Sequence, residues 1–176
     1  MSKYATPIHW PAPLVVAALL TGCTATASGD GPLMVGADSS SICAVQPEHG
    51  LAAYGNVVQN EGESALIITK VTLVEAESLE IRSAHIMPIA GLSPYVLGTG
   101  STEPEEPEAR TAWKSAKGVE AYEIDAGDSV NVIVALDNGD NASGTSRALR
   151  IDYKHGGDSF FVETNMSLSL ADESCT

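Results

Sequence analysis

The pattern in this sequence that is best suited to metal chemistry is His85-Ile86-Met87. Residues i and i+2 of a β-strand project from the same face roughly 6.6 Å apart, so the imidazole and the thioether could reach one ion. Imidazole and thioether together favour Cu(I), a soft cation. The sequence predicts no cofactor, and copper is the alternative, with His85 and Met87 as ligands. The competing interpretation makes His85 a partly buried or edge-strand histidine and Met87 a core residue beside Ile89.

The surrounding sequence resembles the PCuAC-type periplasmic copper chaperones, which are exported, cupredoxin-like β-sandwiches. The segment AAYGNVVQNEGESALIITKV is similar to the first hairpin of that family, whose copper motif ends in His-x-Met. In that family the His-x-Met comes last, whereas here the further candidates His155 and Met166 follow it. We expect Met166 to pack in the core, because it lies on an apolar strand face, and His155 to lie in a solvated Gly-Gly turn.

A second candidate site lies in residues 98–118, where four glutamates and two prolines precede Trp113. An acidic run broken by prolines cannot form a core, so the segment is predicted to be a solvated loop. Long loops of β-sandwiches often carry function, and Arg110 and Lys114 flank the aromatic side chain. We therefore predict an interaction loop formed by Arg110, Trp113 and Lys114. The alternative is that Trp113 packs over the sandwich edge and the glutamates only keep the loop in water.

Motifs for catalysis are missing from the sequence. It contains no H-E-x-x-H, no G-x-S-x-G and no Gly-rich phosphate loop. Beyond residue 22 the histidines are His49, His85 and His155, and none has an Asp or Ser at a recognised motif spacing. The chain is therefore predicted not to be an enzyme.

The N-terminus carries the features of an exported, lipidated protein. The apolar run Leu14–Leu20 is too short to span a bilayer, which needs about 20 residues, and it is typical of a secretory signal. It leads into Leu20-Thr21-Gly22-Cys23, which resembles the lipobox of bacterial lipoproteins. That resemblance implies cleavage before Cys23 and acyl chains on this cysteine, which would hold the protein at the outer face of the cell membrane.

Cys43 and Cys175 are the two cysteines that remain after Cys23. An even pair in an oxidising compartment most simply forms a disulfide. Two soft metal ligands are the alternative, but neither flanking sequence contains a histidine or a further cysteine. The sequence therefore predicts a disulfide between Cys43 and Cys175.

The remainder of the chain reads as β-strands. Apolar residues alternate with polar ones in SVNVIVAL, in ALRIDY and in FFVETNMSLSL, and turn residues separate these runs. A β-bulge near Thr69-Lys70 would reconcile the two halves of the strand that contains them. Seven or eight strands at this spacing predict an all-β, antiparallel, immunoglobulin-like sandwich. We divide the chain into a signal peptide (1–22), a flexible tether (23–41) and a β-sandwich domain (42–176).

This overall plan resembles small surface lipoproteins of Gram-positive bacteria, with GDSVNVIVAL and RALRIDYKHGGDSF similar to the end of their domains. The resemblance implies a non-catalytic binding or structural module at the cell surface. The formal charge is −14, and loss of Lys3 with the signal peptide makes it −15. Such a charge disfavours nucleic acid as a partner. The expected partners are the membrane, through the lipid anchor, and a cell-surface protein or glycan.

Overall fold

The structure is a computed structural model and describes residues 29–89 and 96–175, which form thirteen strands and one helix. They are β1 (Leu33–Val35), β2 (Ser40–Val45), β3 (Ala52–Asn60), β4 (Leu66–Val74), β5 (Glu80–Pro88), β6 (Thr99–Ser101), α1 (Pro107–Ser115), β7 (Lys117–Gly118), β8 (Tyr122–Ile124), β9 (Ser129–Asp137), β10 (Ser143–Ser146), β11 (Ala148–His155), β12 (Asp158–Glu163) and β13 (Met166–Ala171). The longer strands are the segments in which apolar and polar residues alternate. Cys23 and the segment predicted to be a signal peptide lie outside the described residues.

The strands form three sheets around one core. The largest has the order β1-β3-β9-β5-β7, with β6 also paired to β3. The other two have the orders β12-β11-β4-β8 and β10-β13-β2. Apolar side chains from all three sheets, among them Val132, Leu149 and Leu168, meet in one buried cluster. This confirms the predicted all-β, antiparallel, immunoglobulin-like sandwich, with eight strands of six residues or more.

One strand pair departs from the antiparallel pattern. Strand β2 runs parallel to β13, with Cys43 opposite Ser169.

The β-bulge predicted in β4 is confirmed, because Lys70 and Ile68 pair with the successive residues Asp152 and Tyr153 and leave Thr69 as the extra residue. The bulge shifts the alternation of β4 by one position, which explains why its two halves show different patterns.

The segment predicted as a tether contains two strands in its described part. Leu33 is 1% exposed and β1 pairs with β3, while β2 begins at Ser40. Strand pairing therefore begins before residue 42. A three-residue strand shows too little alternation to be recognised from sequence, and β1 is ordered by its pairing with β3 and by the burial of Leu33.

The segment FFVETNMSLSL was predicted as one strand and is two. Strand β12 pairs with β11, and β13 pairs with β10 and β2 in another sheet. Thr164 lies at the corner between them and is 3% exposed. Its backbone N–H donates to the Leu149 carbonyl (2.8 Å), and its Oγ1 accepts a hydrogen bond from the Leu149 N–H (3.0 Å). The polar residue that interrupts the apolar face thus marks a change of sheet.

Candidate functional site

The two candidate sites predicted from sequence meet on the outer face of the largest sheet. Strand β5 presents His85 opposite Ile133 of β9, and Met87 opposite Asn131. Met87 is 2% exposed and belongs to a second apolar cluster with Ala53, Leu97 and Ile133. Ala112 and Trp113 of α1 pack against this cluster, and Trp113 also contacts the ring of His85. We call this set, with His85, the outer cluster.

Residues Pro107–Ser115 of this segment form a helix where the sequence predicted a solvated loop, whereas residues 102–106, with three of the four glutamates, are irregular as expected. α1 begins at Pro107, a residue well suited to the first turn because its ring fixes φ and its missing N–H needs no partner there. Ala109 is 5% exposed and lies against the body of the domain, while Glu108 and Arg110 are exposed. A nine-residue helix is marginal in isolation. α1 is stabilised by packing of its apolar side on the sheet, which the sequence pattern did not predict.

The predicted interaction residues lie along this helix. Arg110 and Lys114 are exposed, and Trp113, which lies between them in the sequence, is half-buried. The Arg110 guanidinium donates to the carbonyls of Pro104 (3.4 Å) and Glu105 (2.6 Å), which folds the acidic segment back onto the helix. Trp113 thus packs on the outer cluster, as the alternative interpretation expected, and the interaction role of these three residues stays a prediction.

His85 is held in place by a polar and an aromatic contact. Its Nε2 lies 3.0 Å from the Ser83 Oγ, and its ring centroid lies 5.0 Å from that of Trp113 with a 60° angle between the planes. Partial burial lowers the pKa of His85 below its ordinary value of 6.5. A neutral imidazole is also the form that binds metals, so this environment favours the ligand-competent state.

Asn131 is a residue of this region that the sequence analysis missed. It is completely buried, and its Oδ1 accepts a hydrogen bond from the Leu97 N–H (3.1 Å). The Gly55 N–H donates to the Gly98 carbonyl (2.8 Å), so residues 97–98 are fastened to the sheet at two points. Ile133 and Ala135 share the outward face of β9 with Asn131, and all three are buried. The sequence SVNVIVAL has apolar residues on both faces of the strand, and this pattern could have indicated that β9 is covered on both sides.

The other candidate side chains are spread over the molecule. Met166 is 5% exposed in the main core, as expected. The Nε2 of His155, at the end of β11, lies 2.9 Å from the Ser64 Oγ. His49 lines an acidic cleft of about 380 Å³ with Glu48 and Glu103. Within residues 29–89 and 96–175, no group of three or more His, Cys, Asp or Glu side chains is arranged to hold a metal ion.

The predicted disulfide between Cys43 and Cys175 is confirmed, with Cα atoms 5.8 Å apart. It joins β2 to the residues that follow β13 and closes a loop with a sequence separation of 132 residues. Disulfides of this kind persist in oxidising compartments outside the cytoplasm, which agrees with the predicted export of the chain. None of the helices among the described residues is long and apolar enough to cross a membrane.

No family model and no curated protein matches this sequence. Among solved structures, the VesB protease of Vibrio cholerae gives a TM-score of 0.39 at 13% identity, over 80% of this chain and 32% of that one. The PapD-like domain 7 of human CEP192 gives 0.39 at 10% identity, over 94% of this chain and 100% of that one. A point mutant of the adhesin CfaE from enterotoxigenic E. coli gives 0.39 at 8% identity, over 84% of this chain and 50% of that one. The chain thus spans about a third of the protease and half of the adhesin.

Proposed function

We propose that this chain is a non-catalytic binding module, displayed outside the cytoplasm and held at the membrane by acyl chains on Cys23. The observation that carries the binding role is the surface of α1, where the half-buried Trp113 lies beside the exposed Arg110 and Lys114. Large aromatic side chains and arginines are enriched where proteins make binding contacts. The partner is a cell-surface protein or glycan that carries negative charge.

The charges on α1 support an anionic partner. Among the described residues, Arg82, Arg147 and Arg150 are engaged in ion pairs with acidic side chains. Arg110 and Lys114 form no ion pair within this part of the chain. The Arg110 guanidinium donates to the backbone carbonyls of Pro104 and Glu105, and Lys114 is exposed. On a protein with a formal charge of −14, these two cations beside Trp113 give the helix a local attraction for anionic groups.

The membrane anchor is supported by the sequence Leu20-Thr21-Gly22-Cys23 and by the disulfide. A chain that starts at Cys23 has ten residues before Leu33, where β1 begins. Ten fully extended residues reach at most about 36 Å, so acyl chains on Cys23 would hold the domain close to the bilayer surface.

A copper-handling role is the alternative proposal. It is supported by the contacts of Trp113, which packs against both His85 and the cluster that contains Met87. The two candidate ligands therefore lie on the same side of β5, as a shared ion would require.

Affinity capture from solubilised cell-envelope fractions, with the full-length chain as bait, tests the binding role. Trp113→Ala and Lys114→Glu are expected to lose the partner that wild type retains, whereas Lys154→Ala, an exposed cation on β11, keeps it. Lys114→Glu is included because Lys114 has no part in the outer cluster, so its effect is not one of folding. Identical partners for wild type, Trp113→Ala and Lys114→Glu would remove α1 as the binding surface.

A further inference from the structure

Along one side of the sandwich, two strand edges have no neighbouring strand among the described residues. β8 pairs with β4 only at residues Leu66–Ile68, so the same edge of residues 69–74 has no strand beside it among the described residues. β7 pairs with β5 only at His85 and Ile86, which leaves residues 80–84 equally uncovered in that part of the chain. Edge strands of this kind present free backbone N–H and C=O groups.

A groove of about 420 Å³ runs between these two edges. Its lining comprises Val71, Thr72, Leu73, Leu79, Glu80 and Ile81. Val71 and Leu79 belong to the main core, and Leu73 and Ile81 pack against it, so the floor of the groove is continuous with the interior of the domain. The chain crosses between the sheets from β7 to β8 at one end and from β4 to β5 at the other.

Unpaired strand edges around an apolar floor fit an extended peptide better than a compact ligand. A strand laid along either edge would satisfy the free backbone groups and place alternate side chains on the floor. The side chains of the bound strand that point away from the floor would face the charged residues at the rim of the groove. Glu75, Glu77 and Glu80 are exposed there. Arg147 pairs with Glu75 and Glu163, and Arg82 pairs with Glu80 and Asp137. Each arginine thus faces two carboxylates, and the rim keeps a net negative charge.

We propose that this groove is a strand-accepting site for a segment of a second polypeptide in which apolar residues alternate with basic ones. The site is separate from α1 and does not depend on the binding role of Trp113. Its occupant adds a strand beside β4 or β5, and the acidic rim neutralises the basic side chains that point away from the floor.

The test uses a blocked octapeptide of alternating valine and lysine, carrying a fluorescent label, with the full-length chain in detergent micelles. A peptide of the same sequence that is N-methylated on alternate residues keeps the charge and removes backbone donors. We expect the parent peptide to bind at least tenfold more tightly than the N-methylated one. Leu73→Lys and Ile81→Lys place a charge in the groove and are expected to weaken binding by a similar factor, whereas Ile67→Lys, at a 40% exposed position of β4, leaves binding unchanged.

Amide hydrogen exchange locates the bound peptide. Slower exchange in residues 69–74 or 80–84, with α1 unaffected, is the expected result. The proposal is overturned by equal binding of the two peptides, by equal weakening in Ile67→Lys, by protection confined to β2, or by failure of the peptide to bind. A dimer of this chain that buries the groove in the absence of peptide would also overturn it, because the occupant would then be a second copy.

Discussion

The rings of His85 and Trp113 meet with centroids 5.0 Å apart although they lie on different elements, one on β5 and the other on α1. Docking of the helix on the sheet creates the contact, and the apolar members of the outer cluster surround it. A candidate metal ligand and a candidate binding residue are therefore physically coupled, and a change at either position will be felt at the other.

The pH dependence of Trp113 fluorescence is predicted to follow the protonation of His85. In a chain processed at Cys23, Trp113 is the only tryptophan, because the other one is Trp10. An imidazolium in contact with indole quenches its emission, so fluorescence should fall as pH decreases. Because burial lowers the pKa of His85, the midpoint is expected below 6.5. The measurement is a fluorescence titration in the presence of a chelator, and His85→Gln should abolish the transition.

The same shift predicts a loss of stability in acid. Where the folded pKa is below the unfolded one, the unfolded state binds more protons in the interval between them, so the free energy of unfolding falls as pH decreases from 6.5 towards the folded pKa. Urea unfolding of wild type and His85→Gln across this interval checks it. A wild-type curve that runs parallel to that of His85→Gln would show that His85 makes no contribution.

Met87→Leu separates the two roles proposed for this residue. The substitution nearly conserves volume at a position that is 2% exposed, so it should cost less than about 1.5 kcal/mol of stability. It removes the thioether, so a copper site at His85 and Met87 should lose most of its affinity for Cu(I). Calorimetric titration under reducing conditions measures this, with His85→Gln as the second variant. Equal Cu(I) uptake by wild type and both variants would assign Met87 to the core alone.

Gly55→Ala is predicted to loosen the segment that covers the outer face of β9. A Cβ at Gly55 would collide with the Leu97 carbonyl oxygen and lie 2.8 Å from the Asn131 Nδ2. Overpacking of this kind costs about 1–3 kcal/mol. Gly118→Ala is the matched control, because nothing lies within 4 Å of a Cβ there. Thermal unfolding should show a lower midpoint for Gly55→Ala only, and equal midpoints for the two variants would contradict the close packing.

The intact mass of the membrane-extracted protein is predicted to match an acylated chain that begins at Cys23 and to increase by two hydrogens on reduction. The increase follows from the disulfide between Cys43 and Cys175. Closing a loop of this length stabilises a protein by roughly 4–5 kcal/mol in the chain-entropy model, so the Cys43→Ala/Cys175→Ala variant should unfold at much lower urea concentration. An unacylated mass would show that the protein is not lipid-anchored.

The fold was predictable where one physical effect dominates the sequence. Alternation along β9 and β11 reports burial of one face against the core, and the interior residues Val132, Leu149 and Ile151 were correctly placed by it. The disulfide followed from counting cysteines. Thr164 shows the limit of this reasoning, since the period of two continues through a corner at which the chain changes sheets.

The site was less predictable because it depends on contacts between distant segments. The prolines and glutamates of this segment predict a loop by composition, although Pro107 suits the first turn of a helix, and the docking of Ala109, Ala112 and Trp113 on the sheet stabilises α1. The meeting of His85 with Trp113 requires both that helix and the register of β5. Neither can be deduced from the period of either segment.

The position of the disulfide also determines how this domain would bear mechanical load. For a chain held at Cys23, tension applied through the N-terminal segment acts first on β1 and β2. Suppose that the force acts between the N-terminal segment and Cys175. It is then transmitted directly through the Cys43–Cys175 disulfide, and strands β3–β13, which all lie inside the covalent loop, bear no tension. The extension then stops at the residues before Cys43, each adding at most about 3.6 Å. A pull that removes β1 and residues 40–42 of β2 would therefore leave the rest of the fold, inside the disulfide loop, intact.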